Sequence, residues 1–257
     1  MKQLIAFAKK ELLEQLRTGK ILILTIIFCL FGIMNPAIAK LTPWIMELMS
    51  DELATTGMVV SSVEVNALTS WTQFFKNMPF ALIIFIVMFS GTLTTEYQKG
   101  TLIFVITKDL KRWKILVSKV ALMAVFWTVG CLISYGITYG YNVYFWDNSI
   151  VCNLGFAVFG FYLLGLWLIT VILPASVFAK SASLVTILTG AAYFITYFLS
   201  MIPKIKEFMP SYLMETADLL MGTNSTNDYF SAIVITLILI AVNIFISVVF
   251  FNKKDIA

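Results

Sequence analysis

The residues best able to do chemistry in this chain are charged, and they are concentrated in one short stretch. Residues 96–119 hold six of the 18 Lys and Arg residues and two of the 14 acids. Ammonium and guanidinium groups bind lipid phosphates and the carboxylates of protein partners. We therefore predict that this stretch is a binding surface, and that it is the place where a soluble partner contacts the protein.

Catalytic chemistry is poorly represented in the sequence. The chain contains no His, which excludes HExxH zinc sites, Ser-His-Asp triads and Cys-His pairs. It also lacks GxSxG and the GxxxxGK[ST] pattern of an ATP-binding P-loop. Cys29, Cys131 and Cys152 have no metal-site or disulfide spacing, and we interpret them as small apolar side chains. The sequence therefore predicts a protein that is not an enzyme and holds no metal or cofactor of its own.

The elements that position the charged stretch are apolar. The chain is 60% hydrophobic and 12% charged, whereas soluble domains carry about 25% charge. Several runs reach the roughly 20 apolar residues that cross a ~30 Å hydrocarbon layer. We predict an all-α integral membrane protein with one transmembrane domain, residues 1–257. The six predicted spans are about residues 21–39, 77–95, 120–144, 155–175, 183–202 and 230–251.

The distribution of Lys and Arg predicts the orientation. With both termini in the cytoplasm, 14 basic residues lie inside and four lie outside. This bias satisfies the positive-inside rule. The expected location is the plasma membrane of a bacterium, in contact with membrane lipids. The net charge of +4 is then a sum over two faces and indicates no nucleic-acid partner.

Residues 2–20 predict an amphipathic helix lying in the membrane interface. Its apolar face consists of Leu4, Ile5, Ala8, Leu12 and Leu16. The charged residues on the rest of its surface are Lys9, Lys10, Glu11, Glu14 and Arg17. A secretory signal peptide cleaved after residue 39 is the alternative, which the long helical leading segment disfavours. Pro36 is expected to kink or end the first span.

The regions outside and between the spans carry further expectations. The external loops 40–76 and 203–229 interleave apolar and acidic residues. This pattern predicts short external helices packed on the bilayer or on the protein, with a lid over an outward exit as the alternative. Gly136 and Gly140 form a GxxxG pattern, for which packing within the chain is favoured over dimerisation. The absence of charge from the span centres argues against ion-coupled transport.

One part of the charged stretch resembles a known family. Glu96, followed by Gly100 and Thr101, an apolar run, Arg112 and Lys119, resembles the first cytoplasmic loop of the type-2 ABC exporter permeases. The N-terminal helix similarly resembles the connecting helix of that family. The resemblance implies a permease subunit that acts with separate ATPase subunits, which bind ATP and Mg²⁺. It also implies a second permease subunit, identical or homologous.

The resemblance further implies that residues about 96–110 form a coupling helix docked in a groove of the ATPase. The residues that it assigns to this loop are Glu96, Lys99, Gly100, Thr101, Leu102, Phe104, Lys108, Arg112 and Lys119. Gly100 is expected to let the backbone bend or approach a partner closely. Asp109 departs from the family pattern, which has Pro there.

The expected function is ATP-driven export. Aromatic and hydroxyl side chains in the spans suit an amphipathic or hydrophobic substrate, such as a peptide, a drug or a lipid. The alternatives are a carrier that is not coupled to ATP, or an accessory membrane partner protein. For the loop itself, the alternative is a plain basic segment that has no partner.

Overall fold

Six long apolar helices form the body of the protein. The computed structural model describes residues 2–55, 65–101 and 111–254, and it contains no strand within these ranges. The helices are α1 Lys2–Arg17, α2 Lys20–Thr55, α3 Ala67–Gln98, α4 Arg112–Phe145, α5 Leu154–Phe178, α6 Ala182–Ser200, α7 Ala217–Leu220 and α8 Phe230–Lys253. Six of them, α2 to α6 and α8, are long and apolar enough to cross a membrane. The prediction of an all-α protein with six spans is therefore confirmed.

The first span departs from its predicted end. Helix α2 continues through Pro36 and Pro43 to Thr55, and α3 already begins at Ala67. Pro36 was expected to kink or end the span, and the second of these expectations is wrong. The expectation of separate short helices is also wrong for the described parts of 40–76. The physical reason lies in α4. Pro36 cannot donate to the carbonyl of Gly32, but the Thr138 hydroxyl donates to that carbonyl at 2.9 Å. No unsatisfied acceptor remains there, so the helix continues.

Helix α5 occupies the centre of the bundle and packs against α3, α4, α6 and α8. Trp127 of α4 is fully buried there, and its Nε1 donates to the carbonyl of Tyr162 at 3.0 Å. Gly165 makes this contact possible, because a Cβ at that position would lie 2.3 Å from the Trp127 ring. By contrast, few residues of α6 and α8 are buried in the described chain.

The GxxxG pattern of α4 is not used for packing within the described chain. A Cβ added to Gly136 or Gly140 would meet no described atom within 4 Å. The close approach of α2 and α4 instead occurs at Gly130, where a Cβ would lie 2.3 Å from the Phe28 ring. Within the described residues, the close contacts of α4 are therefore made by positions other than the GxxxG stripe.

The segment before the last span folds into short helical turns. These are Lys206–Phe208, Pro210–Met214, α7 and Thr226–Tyr229. The side chains of Leu213, Leu219 and Leu220 are buried. Tyr212 stacks on Tyr229 with ring centroids 4.6 Å apart. The predicted short helices of 203–229 therefore pack onto the protein itself.

Candidate functional site

The candidate site lies at one end of the bundle, which we call the basic end. At this end, α1 packs against both α2 and α4. Helices α3 and α8 end here, whereas α2 and α4 begin here. Glu96, Arg112 and Lys119, which the sequence placed in one functional loop, all lie at this end. The structure describes both flanks of that loop, residues 96–101 and 111–119. Leu102, Phe104 and Lys108 lie outside the described residues.

Lys119 is the centre of a buried ion-pair network. Its Nζ lies 2.8 Å from Glu11 Oε2 and 3.1 Å from Glu96 Oε2. The Lys119 and Glu11 side chains are only 2% and 3% exposed, and Glu96 is 12% exposed. The contact with Glu11 is a hydrogen bond, whereas Glu96 Oε2 accepts no hydrogen bond of normal geometry. The network thus joins α1, α3 and α4 at the basic end.

A second ammonium group, that of Lys10, joins this network. Lys10 Nζ lies 3.1 Å from Glu11, 3.0 Å from Glu14 and 3.6 Å from Glu96. The carboxylates of these three glutamates lie within 4.8 Å of one another, a grouping that would suit a hard cation. The cation that contacts all three in the structure is Lys10. The arrangement is therefore a network of two ammonium groups and three carboxylates.

The network perturbs the titration of its members on α1. Burial by itself raises the pKa of the Glu11 carboxyl, but the positive charges of Lys119 and Lys10 outweigh it and hold the pKa below its ordinary value. Burial lowers the pKa of Lys10, but Glu11 and Glu14 reverse this effect and raise the pKa above its ordinary value. Both groups are therefore charged at neutral pH.

Arg112 links α4 to the end of α8. Its Nη1 donates to the carbonyls of Phe251, Asn252 and Lys254 at 3.2, 3.3 and 2.5 Å. The last carbonyls of a helix have no partner within the helix and carry partial negative charge. Arg112 satisfies them. Its side chain is thus engaged with α8 in the described chain.

The end of α8 is connected to two further helices through Lys254. The Lys254 ammonium donates to the carbonyl of Val177 in α5 and lies 4.2 Å from the centroid of the Tyr97 ring in α3. Burial lowers the pKa of Lys254. The side chain of Gln98 donates to the carbonyl of Lys180 at 2.8 Å. These contacts hold the ends of α3, α5 and α8 together.

The residues at the start of the predicted coupling loop show how α3 ends. Lys99 caps the helix, its N–H bonding to the carbonyl of Thr95. Gly100 follows with φ of +65°, a left-handed conformation that favours glycine. A Cβ at Gly100 would meet no described atom within 4 Å. The need for glycine comes from the bend of the backbone, since no close approach is seen in the described part of the chain.

Helix α1 has two functional faces. Leu12, Leu16 and Arg17 are exposed, so the predicted apolar face is available to a membrane interface, an assignment that stays a prediction. The face that docks on the bundle carries Phe7, Glu11 and Gln15, all of them buried. The sequence analysis missed this second face, because it assigned Glu11 to the polar surface. This face could have been found from the sequence, because Phe7, Glu11 and Gln15 are spaced four residues apart and therefore lie on one side of the helix.

Comparison with known proteins gives the family. Residues 5–256 match the family described as ABC-2 family transporter protein. The chain is also similar to the uncharacterized transmembrane protein YxlG of Bacillus subtilis (strain 168). The two are 22% identical over 237 residues, which cover 90% of this chain and 89% of that protein. The family match spans nearly the whole chain and confirms the resemblance found in residues 96–119. The chain therefore belongs to the ABC-2 family of membrane-spanning transporter proteins.

Proposed function

We propose that the chain is the permease subunit of an ATP-driven exporter and that a separate ATPase subunit docks on residues about 96–110. Family membership makes the chain a membrane component of an ABC transporter. The direction of transport, the substrate and the docking site are our proposal. ATP and Mg²⁺ bind to the ATPase, and a second permease subunit, identical or homologous, completes the pathway.

The observation that carries the proposal is the anchoring of the loop at both of its ends. On one side, Glu96 lies in the ion-pair network with Lys119 and Lys10. On the other side, Arg112 binds the carboxyl end of α8. A force on the segment between these anchors is therefore passed to α1, α3, α4 and α8 together.

The orientation and the substrate are proposed from the distribution of charged and apolar side chains. The basic end is placed in the cytoplasm of a bacterial cell because Lys and Arg are concentrated there. Helix α6 leaves Phe194, Tyr197 and Phe198 exposed. Aromatic groups of this kind suit an amphipathic or hydrophobic compound, namely a peptide, a drug or a lipid. We propose that such a compound is moved outward.

The experiment is to co-express the chain with candidate ABC ATPase subunits, purify the complex in lipid nanodiscs and measure ATP hydrolysis. We expect one ATPase to copurify, and hydrophobic peptides, drugs or lipids to stimulate its turnover. A matched preparation whose ATPase carries a disrupted Mg²⁺ site provides the background rate. Export that persists in cells containing only this inactive ATPase would exclude ATP-driven transport.

A further inference from the structure

A cavity of about 600 Å³ opens at the basic end beside the ion-pair network. It is bounded by α1, by the first residue of α2, by the last turns of α3 and by Lys119 near the start of α4. Charged groups of both signs line it, among them Glu14, Lys20 and Lys99. This volume accommodates a group much larger than a single water molecule.

Two polar groups on the cavity wall have unused binding capacity. Lys20 Nζ donates to the carbonyl of Met88 at 3.2 Å and lies 5.6 Å from the ring centroid of Phe89. No carboxylate of the described residues lies within the 4.0 Å of an ion pair. Gln15 is 7% exposed, and its Oε1 accepts no hydrogen bond. The cavity thus offers a cation that makes no ion pair within 4.0 Å and a buried acceptor without a donor.

The depth of the cavity indicates what can fill it. Lys20 is the first residue of a membrane-spanning helix, so it lies at the level of lipid headgroups. Leu22, Ile23 and Ile26 are exposed within the next two turns of α2. An occupant at this level that carries a phosphate for Lys20 is a phospholipid. Its acyl chains would lie along the apolar surface of a span.

The unpaired acceptor selects among phospholipids. The ammonium group of ethanolamine has three N–H donors, whereas the trimethylated ammonium group of choline has none. Glu14, 48% exposed at the same cavity and paired with Lys10 through Oε2, adds negative charge to the cavity wall. The cavity therefore combines a site for the phosphate with a site for the ammonium group.

We propose that this cavity binds the phosphoethanolamine headgroup of phosphatidylethanolamine, with the phosphate on Lys20 and the ammonium group on Gln15 Oε1. The site belongs to the permease alone. It depends neither on the ATPase nor on the identity of the transported compound.

The test is native mass spectrometry of the delipidated permease, titrated with phosphatidylethanolamine, phosphatidylcholine and phosphatidylglycerol of identical acyl chains. We expect phosphatidylethanolamine to bind most tightly. Removing a hydrogen bond to a charged group costs about tenfold in affinity or more, so Lys20→Gln should weaken its binding by about that factor. Gln15→Leu should abolish the preference for ethanolamine over choline and leave binding of phosphatidylcholine unchanged.

The matched control is Lys9→Gln, which removes an exposed lysine of α1 that does not line the cavity. It should bind phosphatidylethanolamine as the unsubstituted chain does. Equal binding of the three lipids, an ethanolamine preference that survives in Gln15→Leu, or undiminished binding in Lys20→Gln overturns the proposal. Soluble phosphoethanolamine that binds as tightly as the lipid would assign the site to a free headgroup and overturn the assignment to a membrane lipid.

Discussion

Lys119 donates a hydrogen bond to Glu11 at 2.8 Å, and neither side chain is more than 3% exposed. The two residues are 108 positions apart in the sequence. Lys119 lies about two turns inside α4, where an unpaired charge is costly. The pair therefore fixes the position of the N-terminal helix on the bundle, next to the loop that we propose as the ATPase contact.

Removal of the central cation should strongly destabilise the basic end. Lys119→Met leaves Glu11 and Glu96 buried with one ammonium fewer, and breaking a buried pair in this way costs about 3–5 kcal/mol. Thermal unfolding of the purified permease should show a lower melting temperature. The double variant Glu11→Gln, Lys119→Met should recover part of the loss, because it removes one of the stranded charges. A melting temperature of Lys119→Met equal to that of the control Lys9→Met would contradict the importance of the network.

The network also predicts an acid-sensitive stability. The pKa of Glu11 is lower in the folded protein than its ordinary value of 4.5. Below pH 4.5 the unfolded chain therefore binds more protons than the folded chain, so the folded state becomes less stable as the pH is lowered. The contribution of Glu11 is complete above pH 4.5 and is lost as the pH drops through the folded pKa. Glu11→Gln removes it, so the melting temperature of that variant should fall less steeply between pH 5 and pH 3 than that of the unsubstituted chain. Identical slopes would show that Glu11 is not responsible.

The hydrogen bond from Thr138 to Gly32 explains how α2 passes through Pro36, and it can be tested by a double-mutant cycle. Thr138→Val leaves the carbonyl of Gly32 buried without a donor, at a cost of about 1–3 kcal/mol. Pro36→Ala restores a backbone N–H that can donate to the same carbonyl. Thr138→Val should therefore cost less in the Pro36→Ala background, as measured by thermal unfolding. Equal costs in the two backgrounds would show that the Thr138 hydroxyl does not compensate for Pro36.

Comparison of the sequence with the structure shows which relationships can be predicted locally. Span number follows from the length and polarity of each apolar run, so it was predictable. The course of α2 was not, because the donor that replaces the missing N–H of Pro36 comes from α4, about 100 residues further along the chain. The sequence likewise predicted Glu11 to lie on the polar surface of α1, because its partner is distant in the sequence. Its partner Lys119 becomes adjacent only when α1 packs on α4.

The motif residues of the loop show the same limit. Glu96 and Lys119 were recognised together, but as parts of a surface for a partner, whereas the structure pairs them with each other. A resemblance to a family identifies which residues matter without giving their contacts. Gly136 and Gly140 illustrate the reverse, because their spacing suits helix packing but no described atom lies within 4 Å of a Cβ added at either position.

Arg112 is expected to stabilise the end of α8. Arg112→Met removes the donor to three carbonyls, and a hydrogen bond to a charged group contributes about 1.5–3 kcal/mol. Amide hydrogen exchange in the last turn of α8 should become faster, by tenfold or more on the same estimate. Lys111→Met, an exposed neighbour, is the control. Unchanged protection at the end of α8 in Arg112→Met would show that the guanidinium is dispensable there.

The most direct test of the account is copurification of the ATPase with a permease whose predicted coupling loop has been altered. Leu102→Asp with Phe104→Asp introduces two charges into the proposed contact, where an unpaired charge is costly to bury. The account predicts normal membrane yield of the permease, loss of the ATPase from the purified complex and no substrate-stimulated ATP hydrolysis. Normal ATPase binding and normal stimulated turnover in this variant would contradict the assignment of residues 96–110 as the coupling loop.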